Sequence, residues 1–516
     1  MTNNEKPVYR FSEAPIWELQ RAYYEEQGIQ AWQREEVPQY ITSNPAIATS
    51  YAEMIMGFLQ DRARLGYTSE PVTIVELGAG SGRLAFHILK ELSELMDYAG
   101  IELPPFCYVM SDLAMANVAY WQQHPSLKPF AQQGVLDFAQ FDAVHDTELS
   151  LKQAGTRIGV GDLQQPLLVI ANYFFDSIPQ ELLYVDEGQI YECDISLEFP
   201  AGAADLKPAE LLGQVIPAYH YRRAAEYEQE SYPYREVIKL YQQKLEDSHV
   251  LFPAVGLSCL ARLGRLSQAG FVLLTADKGD HRLENWEFAN APKLIHHGSF
   301  SLEANYHAIQ HVMQQQGALT LFTKHHYRNL NVGCILMLQQ PMGYANTRLA
   351  YRRFVERFGP DDFFNLKAWF EEYCDQLELP QLYAFWRLSG YDAQTFLRSA
   401  KRFIELLLAG NEHQIEDIRN GMHVMWEGYY PMQEDYDLAL DCATVLYQID
   451  MFDDALFFFE HSLFSGFGQD PATLYSMAIC FYEVGKEESA AEYANHALAM
   501  DPEHEGALAL LALMQG

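Results

Sequence analysis

The sequence predicts a doubly wound, Rossmann-like α/β domain followed by an all-α domain of helical repeats. Three observations predict it. Short apolar runs alternate with helical stretches from Val72 onward, a glycine-rich turn follows the first run directly, and strand-like runs vanish after about Leu349. Alternating buried strands and helices build a parallel sheet covered on both faces, with ligands at the carboxyl ends of its strands. At 516 residues, 49% of them hydrophobic, the chain is too long for one compact core and apolar enough for several. The expected division is a helical segment over 1–70, the α/β domain over 71–345 with an insertion at about 200–245, and a helical domain over 346–516.

Taken in order, Ile16, Leu19 and Tyr23 and then Tyr51, Met54, Ile55, Phe58 and Leu59 recur at helical spacing, with a loop at Ile41–Pro45 between them. Val72–Val75, Phe106–Met110, Leu167–Ala171 and Phe271–Thr275 are continuous apolar runs of strand length, as strands buried on both faces require. From Ala201 to Tyr241 the rhythm breaks, and Tyr219, Tyr221, Tyr227, Tyr232 and Tyr234 stand among charges. Such a stretch either covers a sheet edge or forms a lid. A domain boundary is expected near Gly343–Arg348.

Beyond it, aligning Ala490, Ala494, Ala497 and Pro502 with Ala455, Phe459, Ser462 and Pro471 gives a period near that of a tetratricopeptide unit, clearest over 436–502. Leu474, Met477, Ala478 and Phe481 supply the first helix of the later unit. Helical repeats of this kind stack into concave surfaces that hold peptides or proteins.

The net charge of −35 argues against nucleic acid and anionic membranes as partners and favours a basic protein or peptide. No apolar run is long enough to span a bilayer, and Met1–Pro7 lacks the order of a signal peptide, so a cytoplasmic protein is expected. Seven cysteines are scattered singly, which suits reduced core thiols better than disulfides or zinc. The pairs His296–His297 and His325–His326 lack the two-ligand spacing of a helix face, and no metal is expected.

The turn reads Glu76-Leu77-Gly78-Ala79-Gly80-Ser81-Gly82 and leads into a helix through Leu84, Phe86, Ile88 and Leu89. Glycines let the chain reverse tightly and let a ligand approach the backbone, while the helix N-terminus offers free N–H groups. Arg83 stands where a dinucleotide fingerprint needs glycine, and no Gly-Lys-Ser/Thr follows, so NAD and the P-loop are disfavoured.

The spacing Glu-x-Gly-x-Gly-x-Gly resembles motif I of class I methyltransferases, in which the turn faces the amino-acid part of S-adenosylmethionine. That resemblance assigns Glu76, Gly78, Ala79, Gly80 and Gly82 to the cofactor. The second strand ends at Asp112-Leu113, where a carboxylate would accept from ribose hydroxyls; Asp112 equally suits a helix N-cap. Asp142, after a third strand, is the candidate for the adenine amino group.

The fourth strand runs into Asn172-Tyr173-Phe174-Phe175-Asp176-Ser177-Ile178-Pro179. Asn172, Asp176 and Pro179 match the Asn-Glu-x-x-Asp-Ala-x-Pro motif of the MidA-like methyltransferases, the family that includes the mitochondrial complex I assembly arginine methyltransferase. Ile41–Pro45 is similar to that family's Phe-x-Thr-Ala-Pro loop, and Gly298-Ser299-Phe300-Ser301 through Tyr306 to its Asp-x-Thr-Ala-His-Val-Asp-Phe segment. The resemblance spans roughly residues 10–340. It departs at Tyr173 and Asn305, which replace two acidic residues and so remove two anchors for a guanidinium.

Methyl transfer is an in-line displacement that needs alignment more than acid or base groups. Asn172 and Asp176 are expected to orient the acceptor, Asn172 also to reach the cofactor, and Tyr173 to line the acceptor pocket; Asp176 alternatively caps a helix. Lys278 and Asp280 read as solvated loop charges or substrate contacts. A protein methyltransferase acting on nitrogen, arginine included, is the first reading. A small-molecule methyltransferase and a non-catalytic scaffold are the alternatives.

Overall fold

The structure, a computed structural model, describes all residues except 1–6, 34–36, 38, 201, 204–205, 298, 433, 435, 466–467 and 516. Met1–Lys6, Ala201 and Gly298, which entered the sequence reading, therefore lie outside the described residues. Two compact units divide at Asn365 and Leu366.

Seven strands form the central sheet of the first unit: β1 (Val72–Leu77), β2 (Phe106–Asp112), β3 (Leu136–Gln140), β4 (Leu167–Asn172), β5 (Phe271–Asp277), β6 (Leu319–Leu321) and β7 (Asn331–Met337). Their spatial order is β6-β7-β5-β4-β1-β2-β3, and β7 runs antiparallel between β5 and β6. All six residues of β1 are buried, which is why its sequence is a continuous run and not an alternating one. The order reverses between β1 and β4, whose last residues lie side by side in register as Glu76 with Ile170 and Leu77 with Ala171. The crevice of a doubly wound sheet opens at such a reversal.

The helix α1 (Ile16–Gln27) precedes α2 (Pro45–Arg64). Where the sequence suggested a loop at Ile41–Pro45, Tyr40–Ser43 form one helical turn and Asn44 then caps α2, accepting from the Ile47 amide at 3.1 Å with Pro45 in the first helical position. After the glycine turn, α3 (Arg83–Ala99) buries Leu84, Ala85, Phe86, Ile88, Leu89 and Leu92 and ends at Gly100 in the left-handed conformation. α4 (Met115–Gln123) follows β2, and α5 (Ala254–Gly264) and α6 (Tyr306–Gln315) flank β5.

The unit boundary lies further along the chain than the composition change at residue 346. The reason is α7 (Ala345–Tyr351), whose first amides, at Asn346 and Thr347, donate to the buried Asp61 of α2 at 3.2 and 2.9 Å. Gly57 of α2 permits this approach, since a Cβ there would stand 2.9 Å from the Asn346 backbone.

The insertion is larger than residues 200–245 and is a sheet: Glu181–Asp186, Gln189–Glu198, Ile216–Arg223 and Ser248–Phe252 pair antiparallel. Glu187 and Gly188, with φ of 45° and 68°, make the tight hairpin between the first two strands. Tyr227, Tyr232 and Tyr234 stack edge to face within this layer, at 4.9 and 5.7 Å between centroids.

In the second unit α8 (Leu438–Gln448) packs on α9 (Phe452–Ser465), and α10 (Pro471–Glu483) on α11 (Glu487–Met500). Ala478, Ala490, Ala494 and Ala497 are fully buried, the small side chains letting the later pair approach closely. All seven cysteines are unpaired, and six of them are buried. Among the described residues no helix is long and apolar enough to cross a membrane.

Candidate active site

From β1 the chain turns through Gly78, Gly80 and Gly82 at φ of 63°, 54° and 82°, a conformation that side chains with a Cβ rarely adopt. A Cβ on Gly80 would also meet the Trp32 indole at 3.0 Å. The end of β2 fixes the turn: the Gly80 amide donates to Asp112 Oδ2 at 3.1 Å, and the Ala79 amide to the Ser111 carbonyl at 2.9 Å. Trp121 of α4 donates through Nε1 to the Gly80 carbonyl at 3.1 Å.

Asp112 is buried, and its Oδ1 accepts from the Ala114 amide at 2.9 Å, so it braces the start of α4 while lining the cavity. Burial pushes its carboxyl up, against the pull of those backbone hydrogen bonds. Burial raises Glu76 to about 8, opposed by the Tyr108 hydroxyl that donates to Oε2 at 2.9 Å. Asp142 lies in the loop after β3 and accepts from Arg21 Nη2 at 2.9 Å and the Val144 amide at 2.8 Å. Burial pulls its carboxyl upward, but the Arg21 and Val144 hydrogen bonds outweigh that and hold it below its ordinary value.

Opposite stands the end of β4. Tyr51 donates to Asn172 Oδ1 at 2.6 Å, and Asn172 Nδ2 donates to the Thr42 carbonyl at 3.4 Å. Tyr173 has φ of 47°, a strained setting for a residue with a side chain, and its amide donates to the Ala276 carbonyl at 3.0 Å. The stretch from Phe174 to Pro179 is a turn, so Asp176 caps no helix. Asp176 is 3% exposed, and its Oδ1 has no hydrogen-bond partner. Burial lifts its carboxyl to about 7, against a hydrogen bond with Asp277 and the attraction of Lys278.

Both walls face one cavity of about 1600 Å³, counting the space at its mouth that opens to solvent. Glu76, Gly78, Ala79, Gly80, Asp112, Leu113, Asp142, Asn172, Tyr173 and Asp176 all line it, and so does Lys278. Gly82 instead forms the N-cap of α3. Asp280 is buried beside the Arg282 amide and Asn285, neither a solvated charge nor part of the cavity wall. Asn305 stands outside the wall as well: its Oδ1 caps α6 at the Ala308 amide, and its Nδ2 donates to the Leu251 carbonyl at 2.9 Å. Its amide serves packing, so reading it as a lost acceptor anchor does not hold.

The roof comes from residues that sequence reasoning missed. Gln20 of α1 donates to the Ser177 carbonyl at 2.9 Å and accepts from the Phe300 amide, and Tyr24 donates to Ser299 Oγ at 2.9 Å. Trp17 packs on Phe300, and Trp32 stacks on Tyr24. The two loops singled out at residues 41–45 and 298–306 both reach the cavity, through Thr42, Ser43 and Ser299–Ser301.

The turn suits S-adenosylmethionine on the structure's own terms. Its glycines leave backbone exposed where a Cβ would intrude, and Glu76 and Asp112 are buried carboxyls whose ionised forms a sulfonium and an ammonium would favour. Asp112 retains lone pairs for ribose hydroxyls beyond the two amides that it already accepts from.

Residues 52–331, more than half of the chain, match the family model described as "Putative S-adenosyl-L-methionine-dependent methyltransferase". The chain belongs to this family, and S-adenosylmethionine is its methyl donor. Comparison with curated proteins gives no match. Among solved structures, the chain is similar to a Burkholderia thailandensis protein bound to S-adenosyl-homocysteine, at 17% identity and a TM-score of 0.41, over 61% of this chain and 74% of that one. A second Burkholderia thailandensis structure, of a protein of the COG1565 superfamily, shares 13% identity at a TM-score of 0.41, over 65% and 90% of the two chains.

Proposed function

We propose that this methyltransferase acts on a nitrogen of a protein or peptide acceptor, with Asn172, Tyr173 and Asp176 forming the acceptor wall. The observation that carries this is Asp176 Oδ1, a buried carboxylate oxygen with no partner beside the glycine turn. Such an oxygen suits a hydrogen-bond donor that also carries or develops positive charge, as an amine or a guanidinium does. When bound, S-adenosylmethionine supplies an electrophilic methyl group. Asn172, fixed by Tyr51 and Thr42, keeps the end of β4 in place, and the strained Tyr173 turn aims its ring at the same space.

The MidA-like subfamily is the narrower placement that we favour, supported by Asn172, Asp176 and Pro179 and by the two loops that reach the cavity. We read the helix pairs α8–α9 and α10–α11 as tetratricopeptide-like and assign them a basic partner or substrate, given the charge of −35. Unpaired cysteines suit the cytoplasm. The test is to incubate methyl-labelled cofactor with lysate and the purified protein. Label on a protein band supports the reading, and label confined to the small-molecule fraction overturns it.

A further inference from the structure

Asp277, the last residue of β5, is fully buried and meets Asp176 from behind the cavity wall. Its Oδ2 accepts from the Asp176 amide at 3.2 Å, and its Oδ1, like Asp176 Oδ1, is buried with no hydrogen-bond partner. Two carboxyls this close cannot both ionise in a low-dielectric site, so they hold a proton between them. Only Asp176 reaches the cavity. We infer that Asp277 is a positioning residue that keeps a proton on its own carboxyl and donates it in a hydrogen bond to Asp176, leaving Asp176 to take the proton released by a methylated nitrogen.

This rests on the nitrogen acceptor proposed above. The nitrogen lone pair forms the new N–C bond as the C–S bond breaks and its electron pair passes to sulfur. The nitrogen is then cationic, and its surplus proton goes to the Asp176 carboxylate. Asp277 does not give up its proton: it is shut off from the cavity, and burial and the neighbouring Asp176 charge hold its carboxyl well above its ordinary value. The groups facing the pair are Lys278 beside it, Tyr173 on the same turn, Tyr24 from α1, Tyr51 from α2 and Tyr306 from α6. Burial keeps all four tyrosines neutral, which leaves Lys278 as the cation among them.

The experiment uses the full chain saturated with S-adenosylhomocysteine and n-butylammonium chloride as the probe, by calorimetry from pH 5.5 to 8.5. Affinity should rise about tenfold per pH unit and level off once Asp176 is ionised, at a midpoint well above the ordinary carboxylate range, because only the Asp176 carboxylate attracts the cation. Asp277→Asn retains a donor and should keep that midpoint; Asp277→Ala should move it up by about one unit or more; Asp176→Asn should abolish the pH dependence. No binding of the cation at any pH counts against the nitrogen acceptor, whereas a midpoint that Asp277→Ala leaves in place or that Asp277→Asn moves equally overturns the inference. Failure to bind S-adenosylhomocysteine counts against the cofactor site instead. The pair is then read without ligand, from whether Asp277→Ala but not Asp277→Asn alters the pH dependence of unfolding, an alteration that must vanish in the Asp176→Asn background.

Discussion

On the glycine-turn side of the cavity the protein itself meets the hydrogen bonds of its carboxylates. Asp112 accepts from two backbone amides, and Asp142 from Arg21 and the Val144 amide. On the opposite side Asp176 keeps an oxygen bare beside a backbone turn strained at Tyr173. The first wall is braced by main-chain amides at Asp112 and by Arg21 and a main-chain amide at Asp142. The second carries unspent hydrogen-bonding capacity, and a buried polar atom left so is costly unless something visits it.

The comparison breaks most easily at Gly80. Gly80→Arg adds a side chain at φ of 54° and against Trp32, and should abolish binding of S-adenosylmethionine and S-adenosylhomocysteine, a loss of about 100-fold or more by calorimetry. Asp112→Ala removes charge-assisted bonds worth about 1.5–3 kcal/mol, so S-adenosylhomocysteine should bind roughly 10- to 100-fold more weakly.

Asn172→Ala sharpens the contrast from the other wall. Label transfer should fall about tenfold while affinity for S-adenosylhomocysteine changes less than about threefold; equal losses in both would merge the two walls into one.

Glu76 separates the walls by pH. Its folded carboxyl, near 8, lies above the ordinary value of 4.5, so the folded state binds more protons than the unfolded one between those values. Stability therefore falls as pH rises from about 4.5 to 8, by roughly 3–5 kcal/mol for this group alone, and Glu76→Gln should flatten that slope in thermal denaturation. Asn305→Asp, the smallest change, should cost about 1–3 kcal/mol by facing a carboxylate to the Leu251 carbonyl, with label transfer unaltered.

Much of the parallel sheet was legible because strands buried on both faces leave continuous apolar runs, and the cofactor wall because its glycines sit next to one another in the chain. The insertion sheet was not. Its longest strand carries Glu192 and Asp194, charges that break an apolar run, and only the fold brings Arg10 and Arg222 to meet Glu192 at 1% exposure. Asp277 closes a strand as many aspartates do, and only the fold brings it to Asp176, 101 positions earlier. Trp17, Gln20, Tyr24 and Trp32 belong to no motif, and the helical spacing of Ile16, Leu19 and Tyr23 beside them says which face is buried and nothing of what it is buried against.

Gln20 and Tyr24 of the roof belong to α1, yet they close on Phe300 and Ser299, 280 and 275 positions later. The nascent chain can assemble β1 to β4 long before those partners exist. During translation the glycine turn is thus formed before its cover, and the donor pocket becomes complete only once Ser299 and Phe300 have emerged.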